Sequence, residues 1–402
     1  MTEGIATAMT VMDDATICAL STAPGESALA VVRLSGPAVP SLWAQVSGRP
    51  ALPSPRRAVR LEYRSEDGRA LDDCLAVFFP APRSFTGEDV LELSLHGNPL
   101  IVDAVLRDLQ GRGCRLAEPG EFTRRAFLRG KLDLSQAEAV ADLIGARSLA
   151  ALEAAQQHLR GELGRRISAL TEDLVQAIAE IEAYLDFPDE DLPPEDHRGP
   201  LARLRRLADT LAALAATCET REQLMDGLPT VIAGPPNAGK STLLNALLGM
   251  ERALVSPLAG TTRDYLTERV RVGPHLLRLT DTAGLHEASD ALERAGIVRT
   301  RERLAEAGLI VLVLDASQPE PAWSDDLRAA LTAKPLLVVF NKADLANASP
   351  PPQWEGFPTL ATTLTDPSGA EPVRAALAAL LDHRQPASSG PDVMVNARHA
   401  DA

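Results

Sequence analysis

A phosphate-binding motif places the strongest constraint on what this chain can fold into. The segment Gly234-Pro-Pro-Asn-Ala-Gly-Lys-Ser241 matches the pattern G-x-x-x-x-G-K-[ST]. An apolar run at 230–233 precedes it, and a helix-forming run at 242–248 follows it. This order predicts a strand, a loop and a helix, with backbone N–H groups around phosphate oxygens at the helix N-terminus. We expect Lys240 to contact the β- and γ-phosphates and Ser241 to be a ligand of Mg²⁺.

Three further segments occur in the order typical of a nucleotide site. Asp281-Thr-Ala-Gly284 ends a predicted strand, which places a carboxylate near Mg²⁺ and an N–H near the γ-phosphate. Gly260-Thr-Thr-Arg-Asp264 contains Thr262, a second candidate Mg²⁺ ligand. Asn341-Lys-Ala-Asp344 follows an apolar strand, and the Asp344 carboxylate can accept two hydrogen bonds from guanine that adenine cannot offer. Together the four segments predict that the nucleotide is GTP.

The residue that orients the attacking water is not the usual one. Signalling GTPases carry a glutamine directly after Asp-x-x-Gly, whereas this chain has Leu285. An acidic stretch follows, in which Glu293 is the preferred candidate and Asp290 and Glu287 are the alternatives. Acidic residues are also typical of a solvated helix start, so that interpretation stays open. Since no arginine is evidently placed as a finger, Asn237 is a candidate ligand for a monovalent cation that supplies positive charge.

Composition limits the remaining possibilities. A length of 402 residues predicts two or three domains, and an aromatic content of 3% predicts aliphatic cores with much helix. The net charge of −15 opposes non-specific nucleic-acid binding, so any RNA contact needs a local basic surface. Candidates for such a contact, which are equally typical of solvated helix faces, are Arg124, Arg125, Arg129, Lys131, Arg203, Arg205 and Arg206.

The cysteine pattern and the lack of signal and membrane segments favour a cytosolic protein. The four cysteines are far apart and form no C-x-x-C pair, which favours a reducing compartment over a metal site or disulfide framework. The N-terminus has no basic-then-apolar segment, and the longest apolar run, 309–314, is too short to span a bilayer. We therefore expect a soluble, cytoplasmic protein without membrane contact.

The chain as a whole predicts an α/β and α multi-domain protein. Residues 1–118 form an α/β or α+β domain with strands at 28–34, 75–79 and 90–96 and a helix from Pro99. Residues 119–226 form a helical domain with breaks near Gly145 and Gly161 and a last helix at 201–225. Residues 227–385 alternate strand and helix, as in a doubly wound parallel sheet. The predicted later elements are strands at 269–272, 276–280, 309–314 and 336–340, a helix at 373–381 and a short mobile tail at 388–402.

Several segments resemble the bacterial tRNA modification GTPases known as the MnmE or TrmE family. They include Ser84-Phe-Thr-Gly-Glu-Asp-Val-Leu-Glu92, Glu118-Pro-Gly-Glu-Phe-Thr123, residues 131–144, Leu185-Asp-Phe-Pro188 and the nucleotide motifs. The resemblance implies an N-terminal folate-binding domain that forms a homodimer, a helical domain, and a G domain inserted into it. It also implies an FAD-containing partner protein, assembled as a heterotetramer, and tRNA as substrate.

The activity that the resemblance implies is addition of a carboxymethylaminomethyl or aminomethyl group at carbon 5 of the wobble uridine. The one-carbon unit comes from 5-formyl- or methylene-tetrahydrofolate, and GTP hydrolysis is stimulated by K⁺. By position, Arg33, Glu92 and Lys131 match the folate contacts, Ser241 and Thr262 match the Mg²⁺ ligands, and Glu293 matches the catalytic acid. The K⁺ ligands match Asn237, Ser256, Leu258 and Thr261. The GTP-binding set is Asn237, Ala238, Gly239, Lys240, Ser241, Thr242, Ser256, Pro257, Leu258, Ala259, Gly260, Thr261, Thr262, Asp281, Thr282, Ala283, Gly284, Asn341, Lys342 and Asp344.

The sequence departs from the family pattern in three places. The family continues after the G domain with further helices and a Cys-x-Gly-Lys tail, which this sequence of 402 residues lacks. We therefore expect the helical domain to be its first half, with 386–402 as a candidate for its completion. The Ser-Ala-Lys segment that packs on guanine corresponds poorly to 361–363, and Pro257 stands in the K⁺ loop. Two alternatives remain, an RNA-binding ribosome-assembly GTPase and a GTP-driven dimerising switch without modification chemistry.

Overall fold

The structure, a computed structural model, describes residues 15–186, 198–252, 267–281, 304–319, 323–345, 354, 356–366, 368–383 and 394–395. The chain divides into two compact units, residues 1–140 and 141–402. The predicted domain boundaries at 118, 226 and 385 remain predictions.

The first unit is built on a mixed sheet of six described strands. Its order is β3-β4-β5-β2-β1-β6, in which neighbours are antiparallel except for the parallel pair β1 and β6. The predicted strands and the helix at Pro99 are confirmed, whereas β1, β3, β6 and the first helix were not predicted. The elements are β1 (Ile17–Leu20), β2 (Ser27–Ser35), α1 (Val39–Ser47), β3 (Val59–Arg64), β4 (Ala70–Phe79), β5 (Val90–Gly97), α2 (Pro99–Gly111) and β6 (Arg115–Leu116).

Alternation along β5 explains how the first unit encloses its core. Leu91, Leu93 and Leu95 are fully buried, and the residues between them are partly exposed. The buried face packs with apolar residues of α1 and α2 in one cluster. Helix α2 begins where proline is favoured, and the Asn98 side chain caps it by accepting from Leu100 N at 2.8 Å.

Helices account for most of the described residues between 121 and 226, in agreement with the predicted helical character of this region. They are α3 (Glu121–Leu128), α4 (Leu134–Gly145), α5 (Leu149–Leu159), α6 (Glu162–Asp186), α7 (Arg198–Ala215) and α8 (Thr217–Asp226). The breaks near Gly145 and Gly161 are confirmed, and Gly161 has φ of 74°. The single helix expected at 201–225 is wrong, because α7 and α8 separate at Ala216. There the Thr217 hydroxyl donates to the Leu214 carbonyl at 2.7 Å, a local bond that competes with the helical pattern.

The second sheet has the order β12-β11-β10-β7-β9-β8 among the described residues. Strands β12, β11, β10, β7 and β9 are parallel to one another, which confirms the expected parallel sheet. Strand β8 is antiparallel to β9 because only Gly273 and Pro274 connect them. The elements are β7 (Leu228–Ala233), α9 (Lys240–Arg252), β8 (Thr267–Val272), β9 (His275–Asp281), β10 (Leu309–Asp315), α10 (Asp325–Thr332), β11 (Leu336–Asn341), β12 (Thr359–Ala361) and α11 (Glu371–Asp382).

Helices cover this sheet on both faces, which explains the continuous apolar runs of its central strands. Val311 and Val313 of β10 join a cluster with residues of α9 and α11. Ile310 and Leu312, which alternate with them, join a second cluster that includes Leu331 of α10. A parallel strand buried on both faces needs apolar residues at every position. The carboxyl ends of β7, β10 and β11 therefore meet at one edge, where ligands bind in such sheets.

Two residues near the end of the chain are described and lie buried. The expected mobile tail is wrong at Met394 and Val395, which are 5% and 2% exposed. Val395 packs with Leu163 and Leu214, and its N–H donates to Thr217 Oγ1 at 3.0 Å.

Among the described helices, none combines the length and the apolar character that crossing a membrane requires.

Candidate nucleotide-binding site

The phosphate loop, residues 234–241, connects β7 to α9 and depends on two glycines with positive φ. Gly234 has φ of 144°, and a Cβ there would lie 2.1 Å from Val313 O. Gly239 has φ of 105°, and a Cβ there would lie 2.2 Å from Asn341 Nδ2. Both distances exclude any side chain, so the loop backbone lies directly against the ends of β10 and β11.

Three polar residues of the phosphate loop, Asn237, Lys240 and Ser241, were predicted to bind phosphate or a cation. The Lys240 side chain is buried, and Nζ donates to Gly234 O at 2.9 Å and to Pro235 O at 2.8 Å. Asn237 is exposed and has φ of 60°, a left-handed conformation in which a loop amide can turn toward a ligand. Ser241 is exposed in the first turn of α9. These residues fit the predicted binding of phosphate and Mg²⁺.

Asn341 joins the phosphate loop to the guanine loop, residues 341–344. Its Nδ2 donates to Ala238 O at 2.8 Å, and its Oδ1 accepts from Leu364 N at 3.0 Å. The Asn341 side chain is only 5% exposed, so water is largely excluded from both bonds. One amide therefore sets the spacing between the two segments predicted to bind the two ends of GTP.

Thr363 holds the carboxylate predicted to recognise guanine. Its hydroxyl donates to Asp344 Oδ1 at 3.0 Å and accepts from Asp344 N at 3.3 Å. Asp344 itself is exposed. Thr363 belongs to the segment 361–363 that fits the family pattern poorly, yet the threonine hydroxyl supplies the contact that orients Asp344.

Asp315, at the end of β10, was not predicted as a site residue. Its Oδ2 lies 2.6 Å from Lys342 Nζ, and its Oδ1 accepts from Ser317 N and Oγ at 3.0 and 2.6 Å. Burial raises the pKa of the Asp315 carboxyl, but the hydrogen bonds from Lys342 and Ser317 outweigh burial and lower it. Lys342 has φ of 62°, so the ion pair stabilises a residue in a sparsely populated conformation. The sequence feature that could have indicated a role for Asp315 is an acidic residue directly at the end of an apolar, parallel strand.

Many predicted site residues lie outside the described part of the chain. Asp281 ends β9 beside Ile232 of β7, so its backbone lies at the same sheet edge as the phosphate loop. The residues outside the described ranges, whose roles stay predictions, are Ser256, Pro257, Leu258, Ala259, Gly260, Thr261, Thr262, Thr282, Ala283, Gly284, Glu287, Asp290 and Glu293.

In the first unit, Arg33 and Glu92 come together as cross-strand partners of β2 and β5. Arg33 Nη2 lies 2.8 Å from Glu92 Oε1, and each side chain is 26% exposed. The guanidinium carbon lies 5.4 Å from the ring centre of Phe85 and 5.5 Å from that of Phe122. Lys131 Nζ donates to Pro82 O at 3.1 Å, on the loop that carries Phe85. A cation that contacts two aromatic rings beside a carboxylate suits a planar, polar ligand.

Several basic residues that were predicted to contact RNA form ion pairs with carboxylates of the same chain. Arg125 is buried between Glu88 and Glu121, so the suggestion that it contacts tRNA is wrong. Glu121 lies four residues before Arg125, one turn away on the same helix. Glu88 lies 37 residues away, and only the tertiary fold brings it next to Arg125. Arg203 pairs with Glu180 at 2.9 Å, while Arg205 and Arg206 are exposed.

Comparison with known proteins gives a family for the whole chain. Residues 16–131 match the model described as the N-terminus of the GTP-binding protein TrmE, and residues 134–402 match the MnmE helical domain. A protein of Opitutus terrae named tRNA modification GTPase MnmE is 47% identical over 96% of this chain and 86% of its own. This chain belongs to the MnmE family of tRNA modification GTPases. A relative of the same name in Akkermansia muciniphila is 44% identical over 96% of this chain and 85% of its own.

Membership in the MnmE family confirms several expectations. The fold class is confirmed, as is the prediction of a GTPase enzyme that acts in tRNA modification. Among solved structures, the G domain of the T. maritima FeoB iron transporter is 22% identical, with 99% of that chain and 39% of this one covered. Its TM-score of 0.28 is too low to add to this conclusion.

Proposed function

We propose that this chain is a K⁺-stimulated, Mg²⁺-dependent GTPase that modifies carbon 5 of the wobble uridine in tRNA. It acts as a cytoplasmic homodimer with an FAD-containing partner protein in a heterotetramer. The transferred one-carbon unit comes from 5-formyl- or methylene-tetrahydrofolate, and the product carries a carboxymethylaminomethyl or aminomethyl group. Family membership supports the tRNA substrate, and the contacts described above support binding of GTP and of a planar ligand.

The contact that carries the GTP proposal is the pair of hydrogen bonds made by Asn341. The bond to Ala238 O joins the guanine loop to the phosphate loop, and the bond from Leu364 N fixes the orientation of the Asn341 amide. This sets the spacing that a ligand with phosphates at one end and a base at the other requires. Backbone N–H groups of the loop and Lys240 bind the phosphates, and Asp344 accepts from the guanine edge. Mg²⁺, held through Ser241 and Thr262, neutralises charge on the phosphates when it is bound.

By resemblance, hydrolysis is assigned to Asn237 and to residues outside the described ranges. Glu293 orients and deprotonates the attacking water, since Leu285 cannot. Asn237, Ser256, Leu258 and Thr261 bind K⁺, which supplies the positive charge of a missing arginine finger.

The assay is steady-state GTP hydrolysis with K⁺ or Na⁺ as the added cation. We expect faster turnover with K⁺, and Glu293→Ala should reduce turnover about a hundredfold while GTP binding persists. Equal rates with both cations would refute the K⁺ site. Unchanged turnover of the Glu293 variant would refute the role of that carboxylate.

The folate proposal depends on Arg33 and Glu92, which the fold brings into one ion pair beside Phe85 and Phe122. The rings offer stacking faces to a pterin, and Arg33 and Lys131 offer charge to the carboxylates of its tail. Calorimetric titration of the full chain with 5-formyltetrahydrofolate tests this assignment. Saturable binding that is lost in Arg33→Ala is expected, and absence of binding by the wild-type chain would refute it.

A further inference from the structure

A buried ionic network lies beside the Arg33 pair in the first unit. Arg125 Nη1 lies 3.1 Å from Glu88 Oε2, and Arg125 Nη2 lies 3.0 Å from Glu121 Oε1. Arg129 Nη2 lies 2.7 Å from Glu88 Oε1. The side chains of Arg125, Glu88 and Glu121 are 7%, 5% and 1% exposed. We call these four residues the Glu88 network.

Such a network is a poor device for stability alone. Removing charges from water costs free energy that their attraction repays only with good geometry, and apolar residues of similar volume often stabilise as well. Buried ionic groups do constrain which atoms face each other, since each must find its partner. The Glu88 network therefore has its main effect through the groups that it holds in place.

The network ties three elements to one another. Glu88 lies on the loop between β4 and β5, and Arg125 and Arg129 lie on α3 or directly after it. Glu88 Oε2 also accepts from Ser35 Oγ, at the end of β2, at 2.7 Å. Ser35 Oγ in turn lies 2.7 Å from Thr86 Oγ1, another buried loop residue. A single carboxylate thus connects the loop, the helix and the strand.

The same three elements carry the groups around the candidate folate site. Phe85 lies on the loop three residues before Glu88, Phe122 lies on α3 three residues before Arg125, and Arg33 lies on β2 two residues before Ser35. Residues three apart on a helix are neighbours on its surface, and residues two apart on a strand share a face. Each group of the site therefore has a network or network-bonded residue close to it on its own element.

Phe85 depends on this support more than the others do. It is 39% exposed, so packing in the core does not hold it. Its neighbour Thr86 is fully buried and hydrogen-bonded to Ser35 Oγ, and Glu88 anchors the loop three residues later. The position of the Phe85 ring over the Arg33 guanidinium follows from these two anchors.

We propose that the Glu88 network is a positioning device that holds Phe85 and Phe122 on the Arg33 guanidinium and so shapes the site for a planar ligand. The proposal rests on the folate assignment for the identity of that ligand. None of the four network residues needs to touch the ligand. Their effect on binding passes through the two rings.

The test uses Arg129→Gln in the full chain, because Arg129 is the most exposed member of the network, at 32%, and the chain tolerates its loss best. The matched control is Arg107→Gln, which removes the same charge from an exposed pair with Asp103 on α2. The phenylalanines are replaced by 4-fluorophenylalanine, and the ¹⁹F resonances of Phe85 and Phe122 are assigned from the Phe→Leu variants. We expect both resonances to shift or broaden in Arg129→Gln, to recover in Arg129→Lys, and to be unchanged in Arg107→Gln.

Binding of 5-formyltetrahydrofolate gives the second readout. Arg129→Gln should weaken affinity about tenfold, which is the size of one well-placed cation–π contact. In a Phe85→Leu, Phe122→Leu background the same change should have no further effect, because the network acts through the rings. An equal loss in both backgrounds, or wild-type ¹⁹F spectra in Arg129→Gln, would overturn the proposal. If the wild-type chain binds no folate, the folate assignment fails, while the ¹⁹F spectra still decide whether the network positions the rings.

Discussion

Replacing Asn341 with alanine tests whether one side chain sets the spacing of the nucleotide site. The substitution deletes the donor to Ala238 O and the acceptor of Leu364 N, bonds of 2.8 and 3.0 Å. Ala238 and Leu364 are 0% and 4% exposed, so neither backbone group is well placed to find water instead. The bond to Ala238 O keeps the two loops at the separation that a bound nucleotide requires, and the bond from Leu364 N holds the Asn341 amide in the orientation that makes this possible.

The expected loss follows from these two unsatisfied groups. Leaving a buried donor or acceptor without a partner costs about 1–3 kcal/mol, so two cost on the order of 3 kcal/mol. The free protein recovers part of this by loop relaxation, whereas the nucleotide-bound state cannot relax without losing contacts. We therefore expect GDP and GTP affinity to fall roughly a hundredfold, which corresponds to about 2.7 kcal/mol. The free energy of unfolding should fall by about 1 kcal/mol.

Isothermal titration with GDP and with a non-hydrolysable GTP analogue, in Mg²⁺, measures the effect. Asn245→Ala is the matched control, because Asn245 is exposed on α9 and its loss should leave affinity unchanged. Asn341→Asp keeps an acceptor for Leu364 N but places a carboxylate oxygen against Ala238 O, so it should bind no better than Asn341→Ala. Affinity of Asn341→Ala within threefold of wild type, or wild-type affinity in Asn341→Asp, would refute the reasoning.

Two further predictions concern charged groups. Asp315→Asn should weaken nucleotide binding about fivefold, because Lys342 loses a partly buried ion pair. The hydrolytic groups are untouched, so kcat should not change. The Kd for GDP and the kcat for GTP are measured together, and a fall in kcat with unchanged Kd would contradict the prediction. Burial raises the pKa of Glu121, but Arg115, the Glu118 N–H and Arg125 outweigh burial and lower it to about 2. A carboxyl with a lowered pKa stabilises the fold above its ordinary pKa of 4.5, so about 3 kcal/mol should be lost as pH falls from about 4.5 to about 2. Urea unfolding of the full chain across that range, compared with Glu121→Gln, measures the loss, and equal pH slopes for both proteins would rule the mechanism out.

Local pattern was enough to predict the elements that carry the nucleotide site. The run Leu309 to Leu314 and the run Leu336 to Phe340 are buried parallel strands, and the glycines of the phosphate loop adopt positive φ as the motif implies. Such features depend on residues a few positions apart, whose geometry the backbone itself restricts. The alternation in Val90 to His96 likewise predicted a half-buried strand.

Contacts between residues that are far apart in the sequence could not be predicted from local pattern. Asn341 was assigned to the guanine loop by motif, but its bond to Ala238 joins residues 103 apart. Arg125 was interpreted as a surface charge, and only the fold places Glu88 beside it. Asp315 gained its role because β10 ends next to β11, which brings Lys342 within 2.6 Å.

The sequence by itself determined the ligand class, since backbone turns and side-chain donors for phosphate and guanine are encoded within segments of four to eight residues. The tertiary structure alone decided which charges are buried and which residues support the ligand-binding groups. The physical reason is that a hydrogen bond or ion pair needs its partner within about 3 Å, and for residues distant in sequence only the packing of whole elements brings them that close.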